Sequence, residues 1–267
     1  MVQLIFETLD NDQPRALAWW PDGKLHVDLS TVTWVEPYAM VTLLVAVHHA
    51  VRNGCAVAVT PPRDYAAASY CQRADLFEQL RVLGVDCPDP HPANSRHDRR
   101  DTLAECVLVE GGGSVEQVMN VMMERLDASG WPAETTDALT TTVYEMGDNL
   151  ITHALVDHGF AVLQTFPKKR RIQFAVGDAG VGIPYHHPGG TDPESIVHAM
   201  KYGVSSAARK RGRGFGYMTK LVSQVGGTLS VRSNGGKVIV QPTTESRSMN
   251  VWPLQGTVVA ADVPLDR

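Results

Sequence analysis

The sequence has little that would cross-link it, carry it into a membrane or hold it on nucleic acid. Its four cysteines, Cys55, Cys71, Cys87 and Cys106, include no C-x-x-C pair. Neither a disulfide scaffold nor a structural zinc site is expected, and the thiols are read as reduced. His91 and His97 follow Cys87 without the ligand spacing of a metal site. No apolar stretch reaches the roughly 18 residues of a membrane span, and the opening MVQLIFETLDND lacks a basic region followed by an apolar run. A soluble, cytoplasmic protein with no membrane role is expected. Positive charge is short as well. Lys and Arg number 24 against 29 Asp and Glu, a net charge of -5, so no nucleic-acid binding through bulk charge is expected, and only a local basic patch at Lys168-Lys169-Arg170-Arg171 or Arg209-Lys210-Arg211 stays open. Internal repeats and long low-complexity tracts are missing. What remains is an ordinary globular composition, 43% hydrophobic and 20% charged, in 267 residues that suffice for two domains or one large one.

The first third alternates strand and helix patterns. Residues 24–29 alternate like a strand, and Val32 to Val35 form a short apolar run. Pro37 is placed to open a helix over 39–51, whose Met40, Leu43, Leu44, Val47 and Val51 keep helical spacing and which Asn53-Gly54 ends. His48-His49 reads as an exposed pair on that helix. A buried-type strand at 56–60 stops at Pro61-Pro62, and a second helix pattern runs over 66–83 to Gly84. Strand, helix, strand, helix at this spacing predicts a small α/β domain over 1–87. Residues 88–101, with three prolines, mixed charges and almost no apolar residue, read as a linker.

The stretch VDLSTVTWVEPYAMVTLLVAVHHAVRNGCAVAVTPP resembles the core of STAS domains, the fold of anti-sigma-factor antagonists. Phosphorylatable members carry Asp-Ser-Ser-Gly before the helix. Here Glu36-Pro37-Tyr38-Ala39 stands there, so the resemblance implies a docking or regulatory module rather than a phosphoserine switch. The nearby hydroxyls of Thr31 and Thr33 belong to a residue type common in strands.

The second domain, 102–267, opens with a predicted strand at 103–109. A helix over 115–128 follows, with Ser114 as its N-cap, and Trp131-Pro132 then breaks the chain. A further helix, capped at Thr135 or Thr136, contains TTVYEMGDNLITHAL. Glu145, Asn149 and His153 recur in it at four-residue steps, and at about 100° per residue they share one face. That row is either a polar solvent face or an active-site wall. Strands are predicted at 159–165 and 171–176, with Lys168-Lys169-Arg170-Arg171 in a solvated hairpin between them. Downstream, 227–231 and 237–240 read as two strands joined by a turn at Asn234-Gly235-Gly236, and 255–264 as a terminal strand.

Three glycine patterns accompany the helical row. Asp178-Ala179-Gly180-Val181-Gly182 follows a strand and sets a carboxylate beside a backbone free of Cβ obstruction, where a flat ligand can approach and its amine can donate. Gly212-Arg213-Gly214-Phe215-Gly216 precedes a helical pattern, Met218, Leu221, Val222 and Val225, so its N–H groups can meet anionic oxygens. It is no Walker A loop, since no Gly-Lys-Ser/Thr follows, and no strand directly precedes it as in a Rossmann fingerprint. The terminal strand carries Gly256-Thr257.

In this order the four signals resemble the GHKL superfamily, the Bergerat ATP-binding fold of gyrase, histidine kinases and mismatch-repair ATPases. The resemblance implies an α+β chain in which a sandwich of a mixed sheet covered by helices follows the small STAS-like α/β domain. It implies ATP and Mg²⁺ as cofactors. Asn149 would hold the metal; Asp178, beside Gly180 and Gly182, would accept from the adenine amine with support from Thr257. The backbone of Gly212, Gly214 and Gly216 would hold the phosphates, with Arg213, Phe215 and His153 close by. Residues 185–211 would be a mobile lid in which Lys201 contacts phosphate. Glu145, four residues before the asparagine, resembles the general base of the hydrolytic members and of the anti-sigma-factor serine kinases. Three readings follow: a kinase-like or nucleotide-switched regulator of a STAS or sigma-factor-like partner, a stand-alone ATPase coupled to conformational change or homodimerisation, and a nucleotide-sensing module without chemistry.

Overall fold

The computed structural model describes residues 2–5, 23–88, 103–109, 120, 123–124, 133–201, 214–242 and 244–264. Its chain builds two sheets around one central helix. β1 (Val2–Ile5), β2 (Lys24–Asp28) and β3 (Ala56–Thr60) form a parallel sheet in that order. The crossover from β2 to β3 is α1 (Pro37–Arg52), which opens on Pro37, where the missing N–H costs nothing. α2 (Tyr65–Arg73) and α3 (Leu76–Val82) follow. A single helix over 66–83 was expected from the sequence. It is broken at Ala74-Asp75, where Asp75 takes the left-handed conformation at φ 55°. The break lets Cys71 and Leu76, on either side of it, both enter the core. The short apolar run from Val32 to Val35 is loop carrying one isolated bridge residue.

The second sheet runs β4-β5-β6-β8-β7 and is antiparallel at every pairing. Its strands are β4 (Leu103–Val109), β5 (Gly159–Phe166), β6 (Arg171–Asp178), β7 (Thr228–Gln241) and β8 (Thr244–Pro264). β7 is one long strand. Asn234-Gly235-Gly236, expected to reverse the chain, is instead an irregularity within it. The reason lies in α6 (Asp192–Ala199), whose first turn presses on this point. Asp192 Oδ2 accepts from Gly235 N at 2.7 Å, and a Cβ on Gly236 would lie 2.5 Å from Pro193 N. The glycines make room for a helix end, and the hairpin reverses beyond Gln241.

Helices α4 (Ala133–His153), α5 (Ile183–His186), α6 and α7 (Gly214–Gln224) supply the apolar side chains of one face of this sheet. Leu139, Val143 and Met146 of α4, Ile196 of α6, and Met218 and Val222 of α7 share a core with Ile172, Phe174, Val176 and Val259. α4 begins at Ala133, ahead of the caps expected at Thr135 or Thr136. Asn120, Met123 and Glu124 are helical within the stretch where a helix was expected, and the rest of 115–128 lies outside the described residues, as does 89–102.

The opposite face packs on α1. Phe160 and Val162 of β5, Ala175 of β6, and Val258 and Ala260 of β8 join one core with Val41, Leu44 and Val45 of α1, Leu25 and Val27 of β2, and Val57 and Val59 of β3. A helix between two apolar surfaces must be apolar all round, and twelve of its sixteen residues are buried. His48, read from sequence as exposed, is 4% exposed. Its ring stacks on His158 with centroids 4.3 Å apart, and both rings meet Phe160 edge-on. Among the described residues no helix is long and apolar enough to cross a membrane.

Candidate functional site

The site forms where β6 ends. Side chains on a strand alternate faces, so Phe174, Val176 and Asp178 point to the helical side while Ala175, Gly177 and Ala179 point to α1. Asp178 is therefore set at the mouth of the helical layer, only 6% exposed. Its Oδ1 accepts from Gly180 N at 2.8 Å, and the Thr257 N–H is a second donor. Burial outweighs both and pushes the carboxyl up to about 7.

The chain after Asp178 is held from three sides. Val181 N donates to the carbonyl of Ala154, just past α4, at 3.0 Å. A Cβ on Gly180 would lie 2.0 Å from that same oxygen, so the turn reaches the helix end only with glycine there. Ile183 N donates to Ser233 Oγ at 2.8 Å, and Gln255 Nε2 donates to Gly180 O at 2.7 Å. Gly182 lies against Ser233 and Asn234 with no room for a side chain. Ser233, fully buried on β7, joins these pieces. It donates to Gly256 O at 2.8 Å and lies 3.1 Å from Thr257 Oγ1. Its one proton serves Gly256, which leaves Thr257 as donor in the second contact and keeps lone pairs of the threonine oxygen available. Thr257 is the register partner of Asp178. Gly256 sits at φ 112°, and a Cβ there would come within 1.9 Å of Asp178 O.

α4 brings the row of polar residues to this turn. Glu145 is 9% exposed. One turn on, Asn149 is half-buried, and its Nδ2 is buried without a hydrogen-bond partner. Such a group is costly unless a ligand or water meets it. The Nδ2 is a donor, so what meets it is an acceptor such as a phosphate oxygen or water, while the oxygen of the same amide is the type of ligand that Mg²⁺ takes beside phosphates and water. Among the described residues no three His, Cys, Asp or Glu side chains are grouped to hold a metal, so a cation here would draw most of its ligands from elsewhere. His153 closes α4. Its carbonyl accepts from His186 Nε2 at 2.8 Å, and the two rings meet edge-on at 5.3 Å. Burial, then the neighbouring His186, lowers the His153 pKa.

The second glycine stretch is only partly described. Gly212 and Arg213 lie outside the described residues. Gly214 is the first residue of α7, with Phe215 and Gly216 in its opening turn, so the helix starts among the glycines rather than after them. The expected mobile lid over 185–211 is in its first half a packed structure. α6 carries the capping box of Thr191 and Glu194 and buries Ile196 and Ala199 in the core, with Lys201 exposed just beyond. Residues 202–211 lie outside the described residues.

Sequence reasoning missed Ser233, Gln255 and Ala154, which hold the glycine turn from β7, β8 and the end of α4. Ser233 adjoined a presumed hairpin, and a backbone carbonyl such as that of Ala154 leaves no mark in sequence.

Compared with known families, residues 112–241 are similar to the histidine kinase-like ATPase domain. The match spans α4, the Asp178 turn, α7 and the whole of β7, and it supports an ATP-binding domain of the GHKL type. A search among curated proteins finds no match.

Proposed function

We propose that the protein is an ATP- and Mg²⁺-dependent regulator, of the style of the anti-sigma-factor serine kinases, that phosphorylates a separate protein or binds it according to nucleotide state. The observation that carries this reading is the pairing of Asp178 with Thr257 at a turn that α4 abuts, one turn from an asparagine with an unmet amide. A buried carboxyl with a raised pKa gains most from a ligand amine, because adenine N6 supplies the donor that burial removes. Thr257 supports the same edge of the base. Asn149 contributes an oxygen to Mg²⁺, and the metal, when bound, neutralises charge developing on the transferred phosphoryl group. Glu145, two turns before His153 on the same face, takes the proton of the attacking hydroxyl. The glycines at 212, 214 and 216, with Arg213 and Phe215, cover the phosphates. The N-terminal unit, resembling STAS domains but lacking the acceptor serines, serves as the docking module.

The test is direct. ATP with Mg²⁺ should bind the wild type, and Asp178→Ala should abolish that binding. Labelled ATP should then transfer phosphate to a STAS or sigma-factor-like partner, or change its binding. Phosphate release without any partner would favour a stand-alone ATPase, and nucleotide binding with neither outcome would leave a sensing module.

A further inference from the structure

We infer that α1 couples the N-terminal unit to the nucleotide pocket, with Arg52 as a positioning residue for the turn at Asp178. This rests on the nucleotide reading of that turn. The residues on either side of Asp178, Gly177 in β6 and Ala179 just past its end, have a different neighbour from Asp178 itself. Gly177 and Ala179 face α1, and Ala179 is 3% exposed in the core that α1 shares. α1 approaches so closely at Gly177 that a Cβ there would lie 2.7 Å from Val41 Cγ1. At the last turn of α1, Arg52 Nη1 donates to the carbonyl of Ala179 at 3.4 Å. The adjoining β5 is held as well. Gly159 is the register partner of Asp178, and His158 immediately before it stacks on His48 of α1. At the other end of the helix, Lys237 Nζ of β7 sits 4.6 Å from the centre of the Tyr38 ring.

One helix thus touches the residue after Asp178, the strand paired with it and the hairpin beyond. The same helix is the crossover between β2 and β3. A close-packed interior transmits small displacements instead of absorbing them. Any adjustment of the Asp178 turn on taking up adenine is therefore felt by α1, and by linkage a partner that binds α1 in its shifted position changes nucleotide affinity by the same factor as nucleotide changes the partner's. Arg52 lies behind the pocket wall and meets the turn at the carbonyl of Ala179. Its effect reaches the ligand through the placement of Asp178.

The experiment uses the full chain. ATP with Mg²⁺ is titrated into wild type, Arg52→Met and Arg52→Lys, and amide exchange over residues 41–50 is followed with and without saturating ADP. Arg52→Met keeps the aliphatic stem and removes the donors, and should weaken nucleotide binding about 3- to 10-fold, the worth of one ordinary hydrogen bond, since the contact is long at 3.4 Å. Arg52→Lys should recover most of that loss. Nucleotide should slow exchange in α1 of the wild type, which a merely structural arginine would not require. Unchanged affinity in Arg52→Met, or α1 exchange indifferent to a nucleotide that does bind, would overturn the inference. If Arg52→Met fails to fold, the wild-type exchange result decides alone. A wild type that takes up no nucleotide at all would overturn the proposed function, and this inference with it.

Discussion

Replacing Asp178 by Asn should stabilise the empty protein at alkaline pH while destroying its nucleotide site. The carboxyl holds its proton more tightly in the folded chain than in the unfolded one, with a pKa raised from 3.8 to about 7. Below pH 3.8 both states are neutral and the group costs nothing. As pH rises from there the unfolded chain ionises first, and stability is lost until the folded carboxyl also ionises near pH 7. The rise in pKa corresponds to about 4 kcal/mol of destabilisation above that point. Asp178 is almost fully buried, so solvent screening takes little of this away. Asn escapes the penalty and can still accept from Gly180 N, but its NH₂ meets the Thr257 N–H as a second donor, which returns about 1–2 kcal/mol. The net expectation is a gain of about 2–3 kcal/mol for Asp178→Asn at pH 8, vanishing or reversing at pH 4.5. Urea unfolding of both proteins at several pH values measures it, and calorimetric titration with ATP should show binding lost in the variant. A stability difference that does not change with pH would refute the account of Asp178 as a strained, ligand-awaiting acid.

Three further outcomes are expected. Glu145→Gln should leave ATP affinity within about 2-fold and lower phosphoryl transfer or hydrolysis at least about 100-fold, measured by labelled phosphate. His48, lowered to about 4 by burial and then by His158 and Arg52, with Asp157 opposing and His49 adding, contributes stability that is full above pH 6.5 and lost as pH falls toward 4. The loss amounts to about 3 kcal/mol, and His48→Phe, which keeps the stack on His158, should flatten that acid limb in thermal melts. Gly180→Ala and Gly256→Ala set a Cβ at 2.0 Å from Ala154 O and 1.9 Å from Asp178 O. Each should cost upwards of about 3 kcal/mol, because backbone rather than a yielding side chain lies in the way, and circular-dichroism melts will report it.

What the sequence disclosed follows from how local each cause is. β3 and β4 stand where alternation and apolar runs put them, because a strand's faces are written in adjacent residues. Gly180 and Gly182 were legible as a backbone open to a ligand, and Gly256 as part of a Gly-Thr pair; the structure adds that the protein's own atoms, Ala154 O, Ser233 Oγ and Asp178 O, crowd these positions. The bulge at Asn234 depends on a helix that arrives from elsewhere in the chain, so a local turn signal misreads it, and the break at Asp75 interrupts a helical apolar pattern that runs through it unmarked. The depth of α1 was available in principle. The run from Ala39 to Val47 is apolar on every side, which one sheet cannot use. The partners of that second side, Phe160, Val162 and Val258, are more than a hundred residues away, so the sequence held the demand for burial without naming what meets it.

That shared interior bears on how the molecule could be divided. A cut in the proline-rich stretch at 88–101, where composition draws a boundary, would separate two pieces that each lack half of one hydrophobic centre. The carboxy-terminal piece would bare Phe160, Val162, Ala175 and Val258, and the amino-terminal piece would bare Val41 and Val45. Each fragment would expose apolar surface that the intact chain covers. The joint in the covalent chain and the joint in the folded body lie in different places.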